Sequence, residues 1–190
     1  DAKLEWCRDV IDRQVEHLGR LVDDLLDVNR ITTGKILVMR EPLELSTALE
    51  RAVESSMPLI TQRKHTLELA LADTSPQIEG DLMRLAQVFL NLLNNAAKYT
   101  PEGGRIRLAS AVEDGVAVVR VTDNGVGITP ELLPRIFDLF VQGTRTLERA
   151  EGGLGIGLTL VREIVRLHGG TISAASEGSG QGSEFTVRLP

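Results

Sequence analysis

The spacing of apolar residues changes abruptly at Gly34, and this change constrains the fold of the 190-residue chain more than any other feature. Upstream, apolar side chains repeat every seven residues, as at Leu4, Ile11, Leu18 and Leu25, which predicts a single long helix. Such a helix needs other helices to cover its apolar stripe. Association with a second copy into a bundle is the favoured explanation, and packing on the downstream domain is the alternative. The chain is therefore divided into a bundle-forming helix at 1–34 and a second domain at 35–190.

Downstream of Gly34, helical and strand-like spacings alternate. Helices are predicted over 46–63, 81–98 and 154–168, the first two capped by Ser46 and Asp81. Strands are predicted over 35–41, 66–72, 170–176 and 183–189, with a hairpin around Asp114-Gly115. Residues 130–140 read as a short helix or turn and 141–153 as a mobile loop. Mostly antiparallel strands among helices predict a two-layer α/β (α+β) sandwich with the helices on one face of a mixed sheet.

Composition narrows the class of partner. The net charge is −6 with no basic stripe, which disfavours nucleic-acid binding. No apolar run approaches the roughly 18 residues of a membrane span, so no membrane contact is expected. A single cysteine, Cys7, fits a reducing compartment, and a cytoplasmic location is predicted. The chain opens at Asp1 with neither an initiator methionine nor a signal sequence, and is interpreted as a piece of a longer protein.

The glycine-rich stretch EGGLGIGLTL at 151–160 suggests a phosphate loop but fits neither common template. A dinucleotide fingerprint starting at Gly153 or Gly155 requires a last small residue where the sequence has Leu158 or Leu160. A Walker A loop starting at Gly152 requires lysine, again at Leu158. The glycines nevertheless precede a helix, whose free N–H groups and positive dipole end suit an anion. A glycine linker with close helix packing is the alternative.

Polar residues at helical spacing mark the segment NLLNNAAKYT at 91–100. Asn91 and Asn95 are four residues apart, as are Asn94 and Lys98, so each pair lies on neighbouring turns. An asparagine carbonyl oxygen is a fair ligand for Mg2+, and lysine can place a charge near a phosphate. Solvated polar side chains are the alternative.

Asp123 begins the segment DNGVGI, directly after a predicted strand. The two glycines that follow let the backbone come close to a ligand. A carboxylate only accepts hydrogen bonds, so it favours the exocyclic amine of adenine over the carbonyl of guanine. A tight turn capped by aspartate is the alternative. Further on, Phe137 and Phe140 provide a hydrophobic attachment beside the predicted loop, as the hinge of a lid requires.

The order of these motifs is more specific than any one of them. N-x3-N-A-x-K-Y, D-x-G-x-G, F-x2-F, G-G-x-G-x-G-L and a final G-x-G-S turn resemble the N, G1, F, G2 and G3 boxes of the ATP-binding domain of sensor histidine kinases. The resemblance covers about residues 36–190. The upstream stretch HLGRLVDDLLDVNRITTGKI is similar to the second helix of that family's dimerisation and phosphotransfer domain. The implied fold is the Bergerat-type sandwich, in which ATP lies between a lid and the helix of the N box.

The resemblance also implies a role for individual residues. Asn95 is expected to bind Mg2+ with help from Asn91, Lys98 to contact phosphate, and Asp123 to bind the adenine amine. Arg149, in the predicted lid, is a weaker candidate for a phosphate contact, and a solvated loop charge is the alternative. The remaining expected nucleotide contacts are Tyr99, Gly125, Gly127, Ile128, Phe140, Gly153, Leu154, Gly155, Gly157 and Leu158. Implied partners are a second copy of the chain and a response-regulator receiver domain.

The phosphoacceptor motif of the family is not found in this sequence. It should read His, an acidic residue, a basic residue and Pro, whereas His17 is followed by Leu-Gly-Arg, and neither His65 nor His168 fits. The first bundle helix is therefore expected to be missing, and the fragment is expected to bind ATP without phosphorylating itself. Two alternatives remain: an ATPase of the gyrase, chaperone or mismatch-repair type, and an ATP-binding module without activity.

Overall fold

The computed structural model describes residues 37–72, 75–141 and 155–190. It also describes six isolated residues of the N-terminal segment, which all have helical backbone: Cys7, Arg8, Ile11, Val15, Gly19 and Leu26. Most of the predicted bundle helix lies outside the described residues, and the division of the chain at Gly34 stays a prediction.

The described elements alternate between strands and helices. In chain order they are β1 (Glu41–Glu44), α1 (Leu45–Gln62), β2 (Thr66–Ala70), β3 (Gln77–Gly80), α2 (Leu82–Tyr99), β4 (Arg105–Glu113), β5 (Val116–Asp123), a 3-10 turn (Leu133–Arg135), α3 (Gly157–Leu167), β6 (Thr171–Ala175) and β7 (Ser183–Leu189). The predicted hairpin is confirmed: β4 and β5 pair antiparallel, and Asp114 and Gly115 have φ of 51° and 79° at the turn. The predicted fold class is confirmed as well.

Five strands form one mixed sheet in the order β2-β4-β5-β7-β6. Only β2 and β4 run parallel within it, and β1 pairs with β3 in a separate antiparallel ribbon. Along β5, Val119 and Val121 face the core while Arg120 points to the opposite face. This alternation leaves one face of the sheet for helices and the other for solvent.

Helix α2 packs at the centre of the helical layer. Its fully buried side chains recur at helical spacing and include Leu85, Val88, Phe89, Leu92 and Leu93. Helices α1 and α3 lie on either side of it and complete the core. No helix in the described part of the chain has both the length and the apolar content needed to cross a membrane.

Local signals predicted some element ends and failed at others. Asp81 caps α2 as expected, because its Oδ1 accepts hydrogen bonds from the N–H groups of Met83 and Arg84 at 3.1 Å each. The predicted strand at 35–41 is wrong over 37–40, because β1 begins at Glu41, and residues 35–36 lie outside the described part of the chain. The ribbon partner β3 was not predicted.

The predicted Ser46 cap of the first helix is also wrong. Helix α1 begins one residue earlier, and Glu44 at its start makes no side-chain capping bond. The N–H of Leu45 instead donates to the carbonyl of Pro76 at 3.1 Å. The N–H of Ser46 donates to Oγ of Ser75 at 2.9 Å. A segment thirty residues away in sequence therefore supplies the partners that a local cap would provide.

Candidate functional site

The second half of α2 presents a polar side beside its buried apolar face. Asn91, Asn95 and Lys98 are half-buried, whereas Leu92 and Ala96 between them are buried in the core. Because these polar residues are three or four positions apart, they follow one line along the helix. The ammonium of Lys98 lies 5.1 Å from the centre of the Tyr99 ring, which is 40% exposed.

Asp123 ends the central strand β5 and is only 8% exposed. Its Oδ1 accepts a hydrogen bond from the N–H of Gly125 at 2.8 Å. Its Oδ2 accepts one from the hydroxyl of Ser183, at the start of β7, at 2.5 Å. Both oxygens are therefore held by donors from separate segments, so the buried carboxylate is rigidly placed with acceptor capacity left over.

The backbone at Gly125 leaves space for no side chain. A Cβ there would lie 2.5 Å from the Tyr99 carbonyl oxygen, 2.7 Å from Oδ1 of Asp123 and 3.0 Å from Oγ1 of Thr100. The Thr100 hydroxyl is buried without a hydrogen-bond partner among the described residues. Oxygens of three residues thus converge over Gly125, and one of them, the Thr100 hydroxyl, is a buried polar group whose partner is not among the described residues.

The glycine turn before β7 supports the loop that follows Asp123. The N–H of Gly182 donates to the Gly125 carbonyl at 3.1 Å, and the N–H of Gly180 donates to the Val126 carbonyl at 2.6 Å. A Cβ on Gly127 would lie 2.0 Å from the Gly178 carbonyl oxygen. The two backbones therefore touch directly, which explains the glycines at these positions.

Helix α3 begins opposite α2. A Cβ on Gly157 would lie 3.8 Å from Oδ1 of Asn91, so this amide faces the first turn of α3. Ile156, the residue before that turn, makes no side-chain capping bond. The hydroxyl of Thr159 donates to the Phe137 carbonyl at 2.8 Å and holds the start of α3 against the segment before the predicted lid. The N-terminal turn of α3 is therefore placed beside Asn91, without a cap from Ile156.

The two ends of the predicted lid meet. The N–H of Phe140 donates to the Gly155 carbonyl at 3.2 Å, and both residues have positive φ, 64° and 75°. The Phe140 side chain is 62% exposed. Residues 142–154 lie outside the described part of the chain, including the predicted contacts Arg149, Gly153 and Leu154.

The structure thus groups the predicted residues at two places along α2. Asp123, Gly125, Gly127 and Tyr99 surround the C-terminal end of the helix, and Asn91 with Gly157 lies two turns earlier, about 12 Å away along the axis. Of the others, Ile128 donates its N–H to Oγ of Ser176 at 2.9 Å, and Leu158 packs against the core.

Two residues of this site were not among the predicted contacts. The Ser183 hydroxyl bonds Asp123, and Thr100 contributes the unpaired hydroxyl. Ser183 had a signal, because it ends the recognised G-x-G-S turn. Thr100 had none, since a threonine after a helix is ordinary.

A profile of the histidine kinase-, DNA gyrase B-, and HSP90-like ATPase family matches residues 80–190, more than half of the chain. The chain belongs to this family. The matched range contains both groups of site residues described above. The resemblance of the box motifs to the ATP-binding domain of sensor histidine kinases is confirmed.

Curated relatives are sensor kinases. The chain is 36% identical over 180 residues to the alginate biosynthesis sensor protein KinB of Pseudomonas aeruginosa, covering 95% of this chain and 29% of that protein. It is 32% identical over 221 residues to the hybrid signal transduction histidine kinase D of Dictyostelium discoideum, covering all of this chain and 14% of that protein. The chain therefore spans less than a third of either protein.

Solved structures of histidine kinases share the fold. Full-length ShkA in complex with AMPPNP superposes with a TM-score of 0.80 at 30% identity, over 94% of this chain and 36% of that one. The histidine kinase AdeS of Acinetobacter baumannii superposes with a TM-score of 0.76 at 26% identity, over 95% of this chain and 82% of that one.

Proposed function

We propose that this chain is the ATP-binding catalytic part of a sensor histidine kinase, which transfers the γ-phosphoryl group of ATP to a histidine outside this sequence. The observation that carries the proposal is the buried carboxylate of Asp123, fixed by Gly125 and Ser183 at the end of the central strand. The family match and the sensor kinases among the relatives support it.

The Asp123 end of the site suits adenine. A carboxylate accepts from the exocyclic amine of adenine, whereas the carbonyl of guanine at the same position is another acceptor and repels it. The absence of a Cβ at Gly125 permits the close contact of its backbone with Tyr99, Thr100 and Asp123 that fixes the carboxylate, and the Thr100 hydroxyl is a further polar group beside it. The solved complex of ShkA holds AMPPNP, an adenine nucleotide.

The other end of the site suits phosphates. The first turn of α3 presents N–H groups, Gly157 leaves open space beside Asn91, and Lys98 supplies a positive charge. We assign Asn95, supported by Asn91, as the protein ligand of a Mg2+ ion that otherwise keeps waters and phosphate oxygens. Asn95 and Asn91 would hold this ion, which when bound would supply neutralisation of charge on the transferred group, and the chain itself contributes mainly positioning.

Asn91 favours transfer to histidine over hydrolysis. In the gyrase, chaperone and mismatch-repair type of ATPase, a glutamate stands at this position as general base for water. The Asn91 amide faces the start of α3, the turn proposed here to hold the phosphates, and this supports giving Asn91 the position of that base. An amide cannot accept a proton in this role. An ATP-binding module without activity remains an outcome of the tests below.

Calorimetric titration of the 190-residue chain with MgADP and MgGDP tests the proposal. We expect saturable binding of the adenine nucleotide at one site per chain, with clearly weaker binding of the guanine nucleotide. No heat and no thermal stabilisation with any adenine nucleotide would contradict the proposed function.

The Asn95→Ala substitution should weaken nucleotide binding about tenfold in Mg2+ and little in excess chelator, because the amide acts through the metal. Titrations with ADP in both conditions measure this. Asn94→Ala, on the same helical turn, is the matched control and should change neither affinity. An equal loss of affinity in Mg2+ and in chelator would remove Asn95 as a metal ligand.

Incubation of the chain with γ-labelled ATP should leave all three histidines unlabelled. His65 and His168 are buried, and each ring contacts a backbone carbonyl inside the fold. His17 is followed by Leu-Gly-Arg and not by an acidic residue, a basic residue and Pro. Acid-labile label on the chain, mapped by mass spectrometry, measures the outcome. Label on His17 would show that this segment is itself the acceptor.

The proposed partners follow from the relatives. Sensor kinases pair as dimers and signal to receiver domains, and the seven-residue repeat at 1–34 is the expected dimer contact. Sedimentation over a range of concentrations tests self-association of this chain. A strict monomer at high concentration would count against the repeat as sufficient for dimer formation.

A further inference from the structure

We propose that His168 is a positioning residue of the nucleotide site, which holds the end of α3 against the start of α2 so that the two helices present their ligand groups in register. The inference rests on the proposed function, and no motif of the predicted site includes this residue. It is only 3% exposed and lies far along α3 from Gly157.

The two hydrogen bonds of the His168 ring determine its protonation. Its Nε2 lies 2.9 Å from the backbone nitrogen of Asp81, and its Nδ1 lies 2.7 Å from the Ile164 carbonyl oxygen. The Asp81 N–H can only donate, so Nε2 must be the acceptor, and Nδ1 must carry the proton that it donates to Ile164. His168 is therefore neutral, with its proton on Nδ1, whenever both bonds are made.

The surroundings favour this neutral form. Burial lowers the pKa of His168 below 6.5, and the positive charge of Arg40 lowers it further, while the Ile164 bond and the charge of Asp81 act in the opposite direction. Packing is close: a Cβ on Gly80 would lie 3.2 Å from the imidazole carbon Cδ2. The same Cβ would lie 2.7 Å from Cδ1 of Leu85, so Gly80 lets the ring and this leucine pack together.

Asp81 links its hydrogen bond with His168 to residues 39–40, which come just before β1. Its Oδ1 caps α2, while its Oδ2 accepts from the N–H of Met39 at 3.2 Å. The Arg40 guanidinium donates to the Leu167 carbonyl at the end of α3. The start of α2, the end of α3 and residues 39–40 are thus joined within one cluster of hydrogen bonds.

This cluster affects the candidate site because α2 carries Asn91 and Asn95, while the first turn of α3 carries the N–H groups that face Asn91. Helix α3 is 11 residues, or about 16 Å, long and behaves as a rigid rod. The Thr159 bond to Phe137 holds its first turn, and the His168 bond to Asp81 holds its last. With the second bond lost, α3 can tilt about its first turn, which changes the direction of the Gly157 N–H relative to Asn91 on α2.

Two amide substitutions separate the two ring bonds. The terminal oxygen of glutamine in His168→Gln reaches the Nε2 position and can accept from Asp81. Asparagine in His168→Asn reaches only the Nδ1 position and can bond Ile164 alone. Neither titrates, so they are matched except for the link to α2.

We expect His168→Gln to bind MgADP within about threefold of the parent chain and His168→Asn to bind at least tenfold more weakly. The backbone amide resonance of Gly157 should shift in the asparagine variant and stay in place in the glutamine variant, with no nucleotide present. Leu49→Ala, which opens a cavity in α1 away from the site, controls for general destabilisation and should leave both readouts unchanged. Equal affinities and equal Gly157 resonances in the two His168 variants would overturn the proposal.

The pH profile provides a further readout. The pKa of His168 is lower in the folded chain than in the unfolded chain, so the unfolded chain binds more protons. The contribution of neutral His168 to the free energy of unfolding is therefore lost as the pH falls below about 6.5 and through the folded pKa. This part of the pH dependence of unfolding should vanish in both variants. Nitrogen-15 spectra of the parent should show the Nδ1–H tautomer at pH 7, and the Nε2–H tautomer there would also overturn the proposal. The nitrogen-15 spectra and the Gly157 resonance are measured without nucleotide. They therefore distinguish failure of the His168 proposal from failure of the proposed nucleotide binding.

Discussion

Asp123→Asn should lower the affinity for MgADP by at least about 100-fold. The carboxylate lies buried with one oxygen bonded to the Gly125 N–H and the other to the Ser183 hydroxyl. In the amide, one oxygen becomes an NH2 group, which donates and therefore opposes the amine of adenine. Loss of a charge-assisted bond, together with an unpaired buried donor, amounts to about 3 kcal/mol, which corresponds to that factor.

The same change should reduce the preference for adenine over guanine, since an amide N–H can donate to the guanine carbonyl. Titrations with MgADP and MgGDP measure both effects. Asp114→Asn is the matched control: it makes the same chemical change at the other end of β5, in an exposed turn with φ of 51° that asparagine tolerates. Near-native MgADP affinity for a well-folded Asp123→Asn chain would remove Asp123 as the adenine contact.

Gly182→Ala should strongly lower the free energy of unfolding of the domain and should also weaken nucleotide binding. The residue has φ of +70°, and a Cβ there would lie 2.0 Å from the carbonyl oxygen of Asp123 and 3.0 Å from Cα of Asn124. A left-handed alanine costs about 1–2 kcal/mol, and forcing two backbones apart costs about 1–3 kcal/mol more. The displaced backbone belongs to Asp123, so the carboxylate moves as well.

Gly180→Ala separates the two contributions. Gly180 lies in the same turn with φ of +79°, but a Cβ there would have no atom within 4 Å. Urea unfolding should therefore show a loss of about 1–2 kcal/mol for Gly180→Ala and about 1–3 kcal/mol more for Gly182→Ala. Equal losses would mean that the turn does not pack against Asp123 as described.

Local chemistry decided which elements the sequence predicted well. The Asp81 cap and the Asp114-Gly115 hairpin depend on residues within a few positions of each other, and both are confirmed. The Ser46 cap failed because the partners of the first N–H groups of α1 come from Ser75 and Pro76. Strand β3 was missed because a four-residue strand paired only with β1 has little periodicity.

The candidate site also combines residues that local sequence chemistry indicates with residues that only tertiary contacts bring together. Asp123, Asn91 and the glycine-rich segments could be singled out, since each lies in a motif with its own chemistry and the order of motifs indicates the family. The contribution of Ser183 depends on the pairing of β5 with β7, which places it beside Asp123 from 60 positions away. The role proposed for His168 depends on the packing of α3 against the start of α2.

The sequence by itself determined the family and the fold class and singled out the candidate site residues, because apolar periodicity and short motifs are local properties of the chain. In the segment EGGLGIGLTL, the sequence predicted a helix preceded by glycines but not which residues that helix faces. Tertiary structure alone decided that the helix begins beside Asn91, that its last turn meets Asp81, and that a turn near the C-terminus lies under Asp123. These contacts join residues tens of positions apart, and only the packing of the helices on the sheet brings them together.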